Sequence, residues 1–319
     1  MMRLPVPGRT SVHRCPAKWE PGARVVPTLG VLTCMAYVVD MKNAVTLHDG
    51  ATIDIEVSGD GPNLILPVNP IPIEDPQADE MRKWGADPAL GRNLVDGLAD
   101  IARVIAVDYE GHVLATPKPE TLTPANVVAD VLAIADAAGA DRFAWYGFSW
   151  LGVVGLQLAV ATNRLTGIAM GGWPPIDAPY AEMLKVTTAG WELATGARQS
   201  GGEDEWASAY LEPDQQRQFV TLYTALQSFD DRAALRRIPV AMPKVCFVGA
   251  NDEIQYGPSW GDVLVNLARP VIRGRADLER LGWEVHVLEG LDHTSAMQAA
   301  VVLPILRPWL GRVSGAVAV

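Results

Sequence analysis

Ser149 stands inside RFAWYGFSWLGVVGLQLA, Arg142 to Ala159, where an apolar strand-like run ends in Gly147-Phe148-Ser149 and a helix-like apolar run begins at once. A serine on such a corner has its hydroxyl lifted clear of the backbone. The first turn of the following helix offers unpaired N–H groups and a positive dipole end to a developing anion. Residues of these types in this order suit nucleophilic attack. The motif G-x-S-x-G is matched in full elsewhere, at Gly257-Pro258-Ser259-Trp260-Gly261, whereas here Leu151 takes the place of the last glycine. The chemistry, however, needs a buried strand before the serine and a helix after it. Asn251 to Gly257 reads as polar loop and Pro258 restricts the turn, so Ser259 is expected to be a loop or cap serine and Ser149 the nucleophile.

The elements that must hold such a corner can be read along the chain. From Ala44 a strand, an Asp49-Gly50 turn and a second strand with Ile53, Ile55 and Val57 alternating against polar residues predict an antiparallel hairpin. Short, continuously apolar runs follow: Asn63 to Val68, Arg103 to Val107, Phe143 to Tyr146, Leu165 to Met170, Val245 to Val248 and Val285 to Leu288. Runs of this kind are strands buried on both faces, and helices between them imply a parallel sheet. Thr123 caps one such helix with Pro124 at its first position, and Val127, Val131, Ile134 and Ala138 form its apolar stripe, ending at Gly139. The expected fold class is doubly wound α/β, with a mostly parallel sheet of about eight strands. Between about 173 and 240 the alternation stops, which predicts an inserted helical lid. Its Trp173, Tyr180, Trp191, Trp206, Tyr210, Phe219 and Tyr223 either close an apolar substrate pocket, for which Trp173 and Tyr180 are the candidates, or form the lid's own small core.

A chain of 319 residues with 49% hydrophobic content can bury a large core. Its net charge of −11, with no basic run beyond the first 24 positions, argues against a nucleic-acid or anionic-membrane partner, and the acidity reads as a feature of solubility rather than function. The 3 cysteines, Cys15, Cys34 and Cys246, lack metal-ligand spacing, so no metal is expected and a reduced, cytoplasmic protein is the simplest reading. Residues 1–40 carry basic residues followed by the apolar Val25 to Val39. Pro27 and Gly30 interrupt that run, and it is too short to span a bilayer. The segment is read as an N-terminal extension outside the fold, with Met41 opening a single domain over 41–319.

The opening hairpin, the segment VIAVDYEGHVLATP from Val104 to Pro117, the corner at Ser149, the lid position, Gly249-Ala250-Asn251-Asp252 and the late Gly290-Leu291-Asp292-His293 together resemble the α/β-hydrolase superfamily. The similarity covers nearly all of 41–310. The resemblance implies Ser149 as nucleophile, His293 as the base and Asp252 as the carboxylate that orients it. Of the other histidines, His13 and His48 precede the sheet or lie in its first turn, His286 alternates within a strand, and His112 sits in a loop the family uses structurally. Asp177 follows the strand before the lid, where some relatives carry their acid, and stays open as an alternative. Asp292 reads as a loop or cap residue. The resemblance further implies an oxyanion hole of two N–H groups. One is that of Trp150. The other comes from a loop that begins His-Gly in most relatives and is Pro67-Val68-Asn69-Pro70 here; the prolines have no N–H, so Asn69 is the expected donor, with its side-chain amide in reserve.

The implied activity is that of a cofactor-free serine hydrolase acting on an ester, thioester, lactone or activated C–C bond of a small, uncharged, moderately apolar substrate. The alternative is a catalytically silent protein of the same fold that binds a ligand or partner, motivated by Leu151 and the altered oxyanion loop. The position of Leu151 is usually glycine because strand and helix approach closely there, and Gly152 is expected to supply the small residue one place later.

Overall fold

The computed structural model describes residues 40–199 and 212–317. The expectation for residues 1–40 therefore falls outside the described residues, apart from Asp40, which opens the first strand, and so do Trp206 and Tyr210. Strands β1 (Asp40–Thr46) and β2 (Thr52–Ser58) pair antiparallel, with Thr46 opposite Thr52 and Val45 opposite Ile53. Gly50 takes the left-handed φ of 84° that the turn between them needs. The chain then runs through β3 (Asn63–Leu66), α1 (Gln77–Lys83), α2 (Leu90–Asp96), β4 (Arg103–Ala106), α3 (Tyr109–Ala115), α4 (Pro124–Ala137), β5 (Phe143–Phe148), α5 (Trp150–Ala161) and β6 (Leu165–Gly171). Among the described residues, three helices lie in the interval expected to be helical, α6 (Tyr180–Ala194), α7 (Pro213–Leu226) and α8 (Asp231–Arg237). After them come β7 (Lys244–Gly249), β8 (Glu253–Tyr256), β9 (Val263–Asn266), α9 (Ala268–Arg280), β10 (Trp283–Leu288), α10 (His293–Ala296) and α11 (Ala299–Val317).

Eight strands form one sheet in the order β1-β2-β4-β3-β5-β6-β7-β10, antiparallel as far as β4 and parallel from there on. This is the doubly wound, mostly parallel α/β architecture that the apolar runs predict. Successive residues of the central strands feed two different cores. Ile65, Ile105, Trp145 and Ile168 join the cluster that includes the buried residues of α4 and α5. Their neighbours Leu64, Val104, Ala144 and Ala169 join a second cluster with Leu94 of α2 and Trp309 of α11. A strand's period of two thus fills both faces, which is why these strands read as unbroken apolar runs. Thr123 Oγ1 accepts the Asn126 N–H at 3.3 Å, and Pro124 opens α4, as expected from the sequence.

The β8–β9 hairpin is a separate two-stranded sheet, so the reading of Asn251 to Gly257 as loop is corrected. Its first strand is only half-covered and mixed in polarity, so it carries no burial signal. The chain leaves β3 towards β4 on one side and returns to β5 on the other, so the strand order switches beside β3, where open α/β sheets form a crevice at the carboxyl ends of their strands. Among the described residues, no helix is long and apolar enough to cross a membrane.

Asp231, at the start of α8, ties the helices after β6 together: its Oδ1 accepts the Tyr180 hydroxyl at 2.7 Å and its Oδ2 the Ala178 N–H at 2.9 Å. Burial raises its carboxyl pKa to about 6, against an ordinary 3.8, with Asp177 and Asp230 adding to the rise and the two hydrogen bonds opposing it. The folded state therefore holds this proton more tightly than the unfolded chain, and the associated stability is present below pH ~4 and lost as pH rises through ~6. Unfolding by urea should show the stability of wild type minus that of Asp231→Asn falling by about 3 kcal/mol between pH 4 and pH 8. A difference that stays flat with pH would refute the assignment.

Candidate active site

The corner at Ser149 is the strand-to-helix turn the sequence predicts: β5 ends at Phe148, α5 begins at Trp150, and Ser149 between them has φ 56° and ψ −133°. A non-glycine residue in this region costs about 1–3 kcal/mol and persists only where its surroundings impose it. Here the Ser149 N–H donates to Gly171 O at 2.9 Å, and its own carbonyl accepts the Gly152 N–H at 2.7 Å. The backbone approach is closest at Gly147, where a Cβ would lie 2.1 Å from Leu151 O. Leu151 finds room in the larger core cluster at 5% exposure, while Gly152 faces Trp173 Cβ, which an added Cβ would meet at 3.0 Å. Gly152 is thus a position in the first turn of α5 where a side chain would press on the segment that follows β6. Ser259 sits in a single 3-10 turn, Pro258–Trp260, between β8 and β9, with no strand-to-helix corner around it.

Asp252 follows β7 and is fully buried. Its carbonyl accepts the N–H groups of Leu267 and Ala268 at 2.9 and 3.0 Å, which anchors it to the start of α9. Its two carboxylate oxygens lie 3.1 and 2.9 Å from His293 Nδ1. His293 opens α10, and Asp292 is the N-cap of that helix, its Oδ1 accepting the Ser295 N–H at 2.8 Å. The carboxylate holds the imidazole proton on Nδ1 and leaves Nε2 as the basic nitrogen. The ring packs beside Phe148, the residue before Ser149, with centroids 5.0 Å apart. Asp177 is engaged elsewhere, receiving Arg232 Nε and Nη2 at 3.0 and 2.6 Å on the surface. A second aspartate–histidine pair, Asp130 with His48 Nδ1 at 2.9 Å, lies at the β1–β2 turn; there the Tyr109 hydroxyl at 2.7 Å and the His48 N–H at 2.7 Å complete the carboxylate's bonding. Chemistry alone would not separate the two pairs; their positions relative to Ser149 do.

Ser149, Asn69, Asp252 and His293 follow β5, β3, β7 and β10, which are parallel, so all four lie at one edge of the sheet. Among the described residues, neither the Trp150 N–H nor the Asn69 N–H has a backbone acceptor. The Asn69 side chain is partly committed, since its Oδ1 accepts the Ile71 N–H at 2.9 Å. Trp173 and Tyr180 are buried at 2% and 7% exposure, with rings 5.9 Å apart, and Trp173 also stacks on Tyr223 at 6.1 Å. They form part of a core here and offer little surface to a substrate. The residue that sequence reasoning missed is Glu110, in the first turn of α3, whose Oε1 accepts the Trp150 Nε1–H at 2.9 Å. Glu110 is exposed overall, and crowding of its carboxyl by the surrounding protein pushes the pKa up, with the Trp150 hydrogen bond opposing this, Asp108 adding to it and His293 opposing it. Among the described residues, no three His, Cys, Asp or Glu side chains are grouped as a metal ion would require.

No protein-family model matches the chain, and no curated protein sequence matches it. Solved structures do resemble it. A thermophilic esterase from Thermogutta terrifontis shares 17% identity over 86% of this chain and 100% of its own, with a TM-score of 0.55. The epoxide hydrolase VrEH1 from Vigna radiata shares 15% over 85% of this chain and 98% of its own, with a TM-score of 0.52. The bottromycin epimerase BotH, in complex with bottromycin A2, shares 19% over 85% of this chain and 99% of its own, also at 0.52.

Proposed function

We propose that this chain, which has the α/β-hydrolase fold, is a cofactor-free serine hydrolase acting on a carbonyl of a small, moderately apolar substrate. The observation that carries the reading is the buried Asp252 carboxylate on His293 Nδ1, with the imidazole packed beside the strained Ser149 corner. In the proposed cycle His293 Nε2 takes the Ser149 hydroxyl proton as Oγ bonds to the carbonyl carbon. The resulting oxyanion is held by the N–H groups of Trp150 and Asn69, and loss of one such donor typically costs about 100- to 1,000-fold in rate. Collapse expels the leaving group, which takes the proton from His293 and leaves an acyl-enzyme. Water, deprotonated by the same nitrogen, attacks the acyl carbon, and the acid departs as Ser149 regains its proton. Helices α6 to α8 serve as the lid over this edge, and the buried, unpaired Cys246 is in keeping with a cytoplasmic setting.

The reading is tested by incubating the protein with a fluorophosphonate probe, followed by intact mass measurement and peptide mapping. One adduct per chain, on Ser149, is the expected result. An adduct on Ser259 would overturn the nucleophile, and the absence of any adduct would shift the assignment to a silent ligand-binding protein of the same fold.

A further inference from the structure

A cavity of about 440 Å³ lies at the edge of the sheet opposite Ser149. Arg142 stands before β5, Thr166 is the second residue of β6 and Pro243 precedes β7, so the cavity sits where these parallel strands begin, whereas Ser149 and Asp252 follow their ends. Among the described residues that line it, Arg142 and Arg237 are the only charged ones, in a chain of net charge −11. Neither guanidinium has a carboxylate partner among the described residues, and Arg237 makes only a long contact of 3.4 Å to Val160 O. Thr166 supplies an independent sign of a ligand. In the pairing of β5 with β6, Phe143 lies opposite Leu165 and Ala144 opposite Gly167, so Thr166 is the extra residue of a β-bulge, a device that re-aims a side chain. Thr166 is 7% exposed, and its hydroxyl has no hydrogen-bond partner among the described residues. A polar group so deeply placed is normally bonded. This hydroxyl is not sealed from solvent, and the cavity is the side from which a partner reaches it.

We propose that this cavity binds a phosphate monoester with a short apolar body, at a site separate from the Ser149 edge and independent of the serine hydrolase reading. Two guanidiniums and a hydroxyl suit a phosphate, which carries a charge of about −1.5 to −2 at pH 7 and three acceptor oxygens. A carboxylate has two oxygens, and a single guanidinium fork takes both. Ile238, Met242 and Pro243 give the cavity an apolar wall for the body of the ester. That wall is held in place before any ligand arrives: Lys244 Nζ donates to the carbonyls of Pro239, Val240 and Met242 at 2.7, 3.0 and 2.9 Å. The ligand therefore sits on the connection by which the chain returns from α8 to β7.

The test is isothermal titration calorimetry with hexyl phosphate, hexanoate and inorganic phosphate on wild type, on the double variant Arg142→Gln with Arg237→Gln, and on Thr166→Val. Both arginines are exposed, so their replacement should leave the fold intact, and valine keeps the branched shape of Thr166 while removing its hydroxyl. Hexyl phosphate should bind one site per chain. Its affinity should exceed that of hexanoate and that of inorganic phosphate by about tenfold or more, the scale of one further charged hydrogen bond in the first case and of the buried alkyl chain in the second. The double variant should weaken binding by about tenfold or more, and Thr166→Val by about threefold or more. His293→Ala, at the other edge of the sheet, should leave the affinity unchanged. The proposal is overturned if hexyl phosphate shows no saturable binding, if hexanoate binds as tightly, if either cavity variant binds as wild type does, or if His293→Ala abolishes binding.

Discussion

Alanine at Ser149 or at His293 is expected to lower kcat by about 10⁴- to 10⁶-fold on any acyl substrate the wild type turns over, and the double variant should be no worse than the poorer single one. The two side chains act in one step: Oγ is a weak nucleophile without a base, and Nε2 has no proton to take without the hydroxyl. Removing either therefore removes the whole route, and what survives is catalysis by the oxyanion donors and by binding alone. His293 is held by Asp252 and by its place at the start of α10, so truncating Ser149 should leave the imidazole where it is. Steady-state kinetics on the four proteins give the answer. Independent losses that multiply in the double variant would mean that Ser149 and His293 do not work as a pair, and the mechanism would fall with that result.

Much of the frame around this pair is legible in the chain because burial leaves a mark on residue order. Leu64-Ile65-Leu66 and Ala144-Trp145-Tyr146 are apolar at every position because neighbouring residues fill opposite cores. The Thr123-Pro124 start of α4 is legible because a capping hydroxyl and a proline at the first helical position are both dictated by local backbone chemistry. Helices α1 and α2 have no side chain capping their start, and nothing local announces them. Yet together with the β3 and β4 loops they wall a cavity beside the Ser149 corner, where Glu110 sits. Glu110 itself reads as an ordinary acidic residue in the first turn of a helix, and its significance comes from Trp150, 40 positions away. The choice between Asp252 and Asp177 likewise has no local signature. Both follow strands of the sheet, and only the packing that brings α9 against Asp252 and leaves Asp177 beside Arg232 separates them.

That choice carries the second large effect. Asparagine at Asp252 is expected to reduce kcat by about 10⁴-fold while leaving the fold in place. The side chain is fully buried and both of its oxygens face Nδ1, so an amide occupies the same volume. Its NH₂ group, turned towards the ring, would hold the imidazole as the tautomer protonated on Nε2, which cannot accept the Ser149 proton. Reaction with the fluorophosphonate probe should slow as well, since phosphorylation of Ser149 needs the same base. The control is Asp177→Asn, which removes a solvent-screened surface ion pair with Arg232 and should leave kcat within about twofold. If Asp177→Asn abolished turnover while Asp252→Asn retained it, the orienting carboxylate would have to reach His293 from the end of β6, in an arrangement where Asp252 lets go of Nδ1. Retained activity in both variants would leave His293 without an orienting acid, and the proposed proton transfer would lose its physical basis.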